Sequence, residues 1–166
     1  LSIRNPAPKK RTSIALQNQM DASMNLDVQD LNGACHCKTV RFNVRLKNGL
    51  HTARRCTCSY CQLKGAVAVS AAKDGVTVLS GGEALTRYQF NTKAAEHFFC
   101  SKCGIYTFHR PRANPDFYGV NAACLEGVSP FDFEELPVND GINHPMDAQG
   151  STGPRLAGTL RYFPAK

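Results

Sequence analysis

The chain has 166 residues, 42% apolar and 20% charged, with eight cysteines, no tryptophan and a formal charge of +7. That length suits one domain with a hydrophobic core, and the composition is that of a globular chain, not a disordered or collagen-like one. The longest apolar runs, such as "GAVAVSAA" at 65–72, fall far short of the roughly 20 residues a bilayer span needs, so no membrane partner is expected.

Residues 1–30 differ from the rest. Arg4, Lys9, Lys10 and Arg11 precede the first acid, Asp21, and no apolar periodicity is sustained. This stretch reads as a flexible basic arm with a short helix near 12–20, and it lacks the continuous apolar segment of a secretory leader. From Leu31 the texture is that of a mainly β protein, and a single domain is expected over 31–163. "TVRFNVRL" (39–46) alternates Val40, Phe42, Val44 and Leu46 against polar residues, the pattern of a half-buried strand. Asn48-Gly49 follows as a hairpin signal. "AVAVSAA" (66–72) and "GVTVLSG" (75–81) read as two strands parted by "KDG". "LTRYQF" (85–90) alternates again, and "AEHFFC" (95–100) leads into a cysteine pair. "GIYTFHR" (104–110) leads out of it, with Ile105, Thr107 and His109 opposite Tyr106 and Phe108. "FYGVNAACL" (117–125) is strand-like, and "TLRYFP" (159–164) can add an edge strand. Strands at 8–12-residue spacing with Gly, Asn and Asp between them describe a sandwich or barrel-like fold. No long amphipathic helix is present.

The cysteines fall as Cys35 and Cys37, then Cys56, Cys58 and Cys61, then Cys100 and Cys103, with Cys124 alone. C-x-C and C-x-x-C pairs suit metal binding in a reducing, cytoplasmic setting better than a disulfide framework. If seven thiolates hold two zinc ions, the formal charge falls to about +4, which weakens the case for a nucleic-acid partner. The arm has no aromatic interleaving either, so nucleic acid is not the expected partner. Tetrahedral zinc–thiolate geometry sets sulfurs about 3.8 Å apart, from a Zn–S bond of about 2.3 Å. Cys35, Cys37, Cys100 and Cys103 can close such a site, leaving Cys56, Cys58 and Cys61 as a three-ligand set with one open position. Three protein ligands and a vacancy is the arrangement of a catalytic zinc. Spacing also allows Cys35 and Cys37 to pair with two of the middle three.

"GACHCKTVRF", "CTCSYCQLKGA", "FFCSKCGIYTFHRPRANPDFYGVNAACLEG" and "DGINHP" resemble the glutathione-dependent formaldehyde-activating enzyme family, which includes the centromere protein V group. The resemblance spans roughly 31–145. It implies a β-rich, Mss4-like β-tent architecture. It also implies two zinc ions, one structural at Cys35, Cys37, Cys100 and Cys103 and one catalytic at Cys56, Cys58 and Cys61. The implied activity is that of a carbon–sulfur lyase joining glutathione and formaldehyde reversibly as S-hydroxymethylglutathione. Lys38 departs from the family, where a glycine is common.

Single residues are weighed as follows. Cys124 alternates with apolar neighbours and reads as a buried, inert thiol. His36 is expected to point away from metal, His97 to face solvent or a hydrogen-bond partner, and His144 to sit in a turn. His109 is a candidate for a place near the site. Arg54 and Arg55 are candidates to hold a substrate carboxylate or to keep thiolates ionised. Tyr60 and Asn121 are candidate pocket residues, and "RPR" (110–112) reads as surface charge. The expected function is a zinc-dependent lyase on a thiol–aldehyde adduct, with glutathione as the small-molecule partner and a homodimer compatible with the sequence. The alternative is a non-enzymatic zinc-stabilised binding module with a basic arm.

Overall fold

The computed structural model describes residues 26–147 and 155–165. The short helix expected near 12–20, and the arm up to residue 25, lie outside them. The chain is mainly β, as its alternation requires. Two sheets are present among the described residues. The larger runs β1 (Asp30–Ala34), β2 (Arg41–Leu46), β4 (Ala68–Ser80), β8 (Gly119–Asn121), β7 (Tyr106–Arg110), β6 (Glu96–Cys100) and β5 (Leu85–Tyr88) in spatial order. The smaller holds β10 (Leu156–Arg161), β9 (Glu135–Asn139) and β3 (Arg55–Cys56), with β3 parallel to β9. One short helix, α1 (Ser59–Lys64), follows β3.

The core is built on β2. Val40, Phe42, Val44 and Leu46 are all buried, the inward set that the alternation specifies. Phe42 meets Phe108 edge-on with ring centroids 5.5 Å apart, and Phe108 meets Tyr118 in the same way. Each such ring, fully removed from water, stabilises by about 1.5–3 kcal/mol.

Several elements differ from expectation for local reasons. The two strands expected at 66–72 and 75–81 are one strand, β4. Leu46 pairs with Ala71 while Val44 pairs with Val76, so the extra residues of "KDG" form a bulge instead of a turn. Asp74 takes a left-handed φ of 51° to allow it. Asn48-Gly49 adopts the left-handed pair of φ angles that a tight hairpin wants. It nevertheless leads into a 3-10 turn at Gly49–Thr52, because both neighbours of β2 are already supplied by β1 and β4. In β7, Tyr106, Thr107 and Phe108 are buried in succession, so no alternation survives there. Thr107 faces inward at no cost because its hydroxyl donates to Phe98 O at 3.1 Å. The run 117–125 is a strand only to Asn121, whose side chain accepts the Ala123 amide and starts a 3-10 turn. β10 occupies Leu156–Arg161, an edge position beside β9 with every residue exposed.

Candidate metal centres and active site

The turn after β1 and the end of β6 bring Cys35, Cys37, Cys100 and Cys103 together, with all four sulfurs within 4.8 Å of one another. Cys35 Sγ lies 3.5 Å from Cys37 Sγ, and Cys37 Sγ lies 3.8 Å from Cys100 Sγ. A disulfide would need about 2.0 Å, whereas sulfurs sharing one zinc sit near 3.8 Å. Each cysteine turn closes on a left-handed residue. Lys38 has φ 59° and donates its amide to Cys35 O. Gly104 has φ 73° and donates to Cys100 O. The backbone already serves the sulfurs, since the Val40 amide donates to Cys35 Sγ at 3.3 Å. Hydrogen bonds from Thr39 hold the Cys37 thiol down to about 6, while burial pushes Cys35 up to about 11. The donor set and its spacing fit a closed tetrahedral ion.

The second group is Cys56, Cys58 and Cys61, again with sulfurs within 4.8 Å of one another. β3 delivers Cys56. Cys58 is the N-cap of α1, its sulfur accepting the Cys61 amide at 3.4 Å. The Cys58 amide in turn donates to Cys56 Sγ at 3.4 Å. Hydrogen bonds from the Cys56 and Cys61 thiols drive the Cys58 thiol down to about 2. The same bonds, to Cys56 and then Cys58, push Cys61 far up. One negative charge is welcome here and three are not, unless a cation joins them. Three converging sulfurs fit a divalent ion bound by three protein ligands. Gly141 abuts this group. A Cβ there would collide with Cys56 Sγ and stand 2.7 Å from both Cys58 Cβ and Cys58 N. The Gly141 amide donates to Thr57 Oγ1 at 3.0 Å, tying the 140–147 loop to the cysteine loop.

Aromatic and basic side chains line one flank. Tyr60 and Lys64 are four apart on α1 and share a face. Lys64 Nζ sits 3.4 Å above the Tyr106 ring and 5.1 Å from the Tyr60 ring centre. Burial lowers the Lys64 ammonium, and the three cysteines, Cys61 foremost, oppose that by favouring its charge. Tyr60, Leu63, Lys64, Phe99, Gly104 and Tyr106 line an open hollow of about 390 Å³. Behind it the Tyr106 hydroxyl shares a hydrogen bond with His109 Nδ1, and burial keeps the His109 imidazole neutral.

The remaining candidates fall in different places. His97 is buried, not solvent-facing, and its Nδ1 has no partner among the described residues. It is packed between Tyr60, at 4.4 Å, and His109, at 5.2 Å between ring centres. Burial and then the Lys64 charge depress it to about 4. Arg54 is committed to Thr52 O and Ser70 Oγ, both at 2.9 Å. Arg55 lies against Gly65 at the end of α1. Asn121 is a buried brace that donates to Tyr106 O at 2.9 Å and does not line the hollow. Cys124 is buried, donates to Tyr106 O, and is pushed up to about 12 by burial. His36 is exposed. Arg112 is not free surface charge. It donates to His144 Nδ1 at 2.7 Å and to Asp147 Oδ1 at 2.8 Å, pinning the loop that carries Gly141. Lys64, Tyr106, His97 and Gly141 were not singled out for the site by the sequence. The available signal was the N-cap at Cys58 and the glycine stop at Gly65, which define α1 and place Lys64 one turn beyond Cys61.

Residues 30–136 match the model of the glutathione-dependent formaldehyde-activating enzyme family. The chain belongs to that family. A curated protein of Halomonas elongata that carries the same family name is 36% identical over 81 residues, 44% of this chain and 51% of its own. The chain thus spans about half the length of that curated relative. A crystal structure of a Rhodobacter sphaeroides protein is 51% identical, with a TM-score of 0.63, covering 64% of this chain and 98% of the other. Among the described residues, no helix is long and apolar enough to cross a membrane.

Proposed function

We propose that the chain is a zinc-dependent carbon–sulfur lyase of the S-(hydroxymethyl)glutathione synthase type, joining glutathione and formaldehyde reversibly. The observation that carries this reading is the convergence of the Cys56, Cys58 and Cys61 sulfurs, with Lys64, which lines the hollow, one helical turn beyond Cys61. We assign one zinc ion to that group and a second, structural one to Cys35, Cys37, Cys100 and Cys103. The folded unit is assigned to 31–163, with 1–30 as an arm, and the clustered thiols suit a reducing cytoplasmic location. When bound at the three-sulfur group, zinc supplies Lewis acidity and favours the thiolate form of an incoming thiol. The residues of the chain do the rest. Cys58 and Cys61 are held by the first turn of α1, so the ligand set is preorganised. Tyr60 and Tyr106 give the hollow its aromatic lining, and Lys64 places a positive charge that the three cysteines favour. In the forward direction a carbon–sulfur bond forms, the thiol proton ends on the former carbonyl oxygen, and no oxidant is needed. The Tyr106 hydroxyl, hydrogen-bonded to His109 and Gly119, fixes the ring that lines the hollow.

The test is the exchange rate of formaldehyde with glutathione, measured by NMR with and without protein. Wild type is expected to exceed the uncatalysed rate and Cys56→Ser to return to it. No acceleration across a panel of thiols and aldehydes overturns the lyase reading and leaves the zinc-stabilised binding module.

A further inference from the structure

The side chain that gives the hollow its chemistry is Lys64. Its ammonium lies over the Tyr106 ring and lines the hollow, yet among the described residues it forms no ion pair with a carboxylate. The other lining residues are Tyr60, Leu63, Phe99, Gly104 and Tyr106, so the hollow holds one fixed positive charge and no negative one. Neither arginine beside the cysteines competes for this role. Arg54 is spent on Thr52 and Ser70, and Arg55, which lies against Gly65, is not among the residues that line the hollow.

We propose that Lys64 is the specificity-determining residue of this site. It receives the carboxylate of the thiol substrate, and the protein thereby selects carboxylate-bearing thiols over neutral ones. The inference rests on the reading that the three-sulfur group takes a thiol. Cys61 and Lys64 are one helical turn apart, with Cβ atoms about 5–6 Å from one another. A thiol bound beside Cys61 therefore lies within one helical turn of the Lys64 ammonium, and a carboxylate carried by that thiol is its chemical complement. The charge complementarity is specific, since a neutral thiol leaves the ammonium on its ring face and gains nothing from it.

A competing use of the same charge is to balance the cysteine sulfurs alone. The two uses separate cleanly with N-acetylcysteine and N-acetylcysteamine, which differ only by the carboxylate. Dissociation constants are measured by ligand-observed NMR on the zinc-loaded full chain. Wild type is expected to bind N-acetylcysteine about tenfold more tightly, a charge-assisted bond at a part-exposed site. In Lys64→Met, which keeps the aliphatic stem, the ratio is expected to fall to about one. In Lys64→Arg it is expected to stay above about three. Lys64→Met is first shown to keep its fold by thermal unfolding and its zinc by metal content, so that a ratio of about one reports the loss of the carboxylate contact itself. Equal affinities in wild type overturn the proposal, as does a ratio that survives in Lys64→Met. If neither thiol binds wild type, the thiol-binding reading fails and takes this inference with it. If both bind equally, only the role of Lys64 fails.

Discussion

Gly141→Ala tests the open site without touching a sulfur. The added methyl group would collide with Cys56 Sγ and stand 2.7 Å from two atoms of Cys58, one of them backbone. Cβ atoms do not sit that close to neighbours, so either the 140–147 loop or the Cys56–Cys58 turn must move. Retreat of the loop breaks the 3.0 Å bond from the Gly141 amide to Thr57 Oγ1 and strains the Arg112 clamp on His144 and Asp147. Overpacking of this kind costs about 1–3 kcal/mol. Charged to ligand geometry, that is a loss of roughly fivefold to a hundredfold in metal affinity at Cys56, Cys58 and Cys61. The quartet at Cys35, Cys37, Cys100 and Cys103 should be unaffected. The assay is zinc retained per chain against a graded chelator, with formaldehyde–glutathione exchange measured alongside. Gly158→Ala is the control, because nothing lies within 4 Å of a Cβ built there. Its effect should stay within about 0.5 kcal/mol. If Gly141→Ala holds two zinc ions as tightly as wild type and exchanges at the same rate, the steric reasoning about the site is wrong.

Three further outcomes can be checked. Cys56→Ser should keep the fold, bind one zinc instead of two and lose exchange activity by at least about a hundredfold, whereas Cys100→Ser should melt far below wild type, because its buried site couples metal to folding. Both are read by metal content and thermal unfolding. Lys38→Gly should raise stability by about 0.5 kcal/mol, since φ 59° costs an L residue about 1–2 kcal/mol and glycine returns part of that as chain entropy. A thermal midpoint one or two degrees higher would show it. His97 is neutral in the folded chain down to about pH 4, while in the unfolded chain it protonates near 6.5. Below pH 6.5 the unfolded state therefore binds the extra proton, and stability falls as pH drops from 6.5 towards 4. The full loss is about 3 kcal/mol, and His97→Phe should remove that part of the slope in denaturant titrations.

The sequence made the β2 core legible because a single sheet face is buried there, so period-two alternation maps directly onto Val40, Phe42, Val44 and Leu46. It failed at β7, where both faces are covered and the period disappears. It failed again at "KDG", since a bulge and a turn call for the same residues, and only the partner strand decides between them. β9 was hidden by Pro137, which a paired strand rarely carries. The cysteine pairs were visible in advance because ligand spacing is local within each turn, but spacing left open which pairs meet, and the fold brings Cys35 and Cys37 to Cys100 and Cys103. The lining of the hollow was not, since it comes from α1, β6 and β7, segments far apart in the chain. His97 shows the limit most plainly. A histidine in an alternating run is usually met by a partner or by water, and only the packing of Tyr60 and His109 about it removes both.

The two cysteine groups are not independent parts of the surface. Phe99 immediately precedes Cys100 and Gly104 immediately follows Cys103, and both line the hollow that Lys64 and Tyr60 bound from the other side. The quartet therefore fixes one wall of the hollow and the three-sulfur helix fixes the opposite wall. On the proposed zinc assignment, this division gives a physical reason for one closed and one open group in the same small domain. A closed tetrahedral site spends every ligand on rigidity, which is what a hairpin between β6 and β7 needs if its residues are to serve as a wall. An open site leaves a position for an incoming sulfur, and that position has value only if the wall facing it holds still.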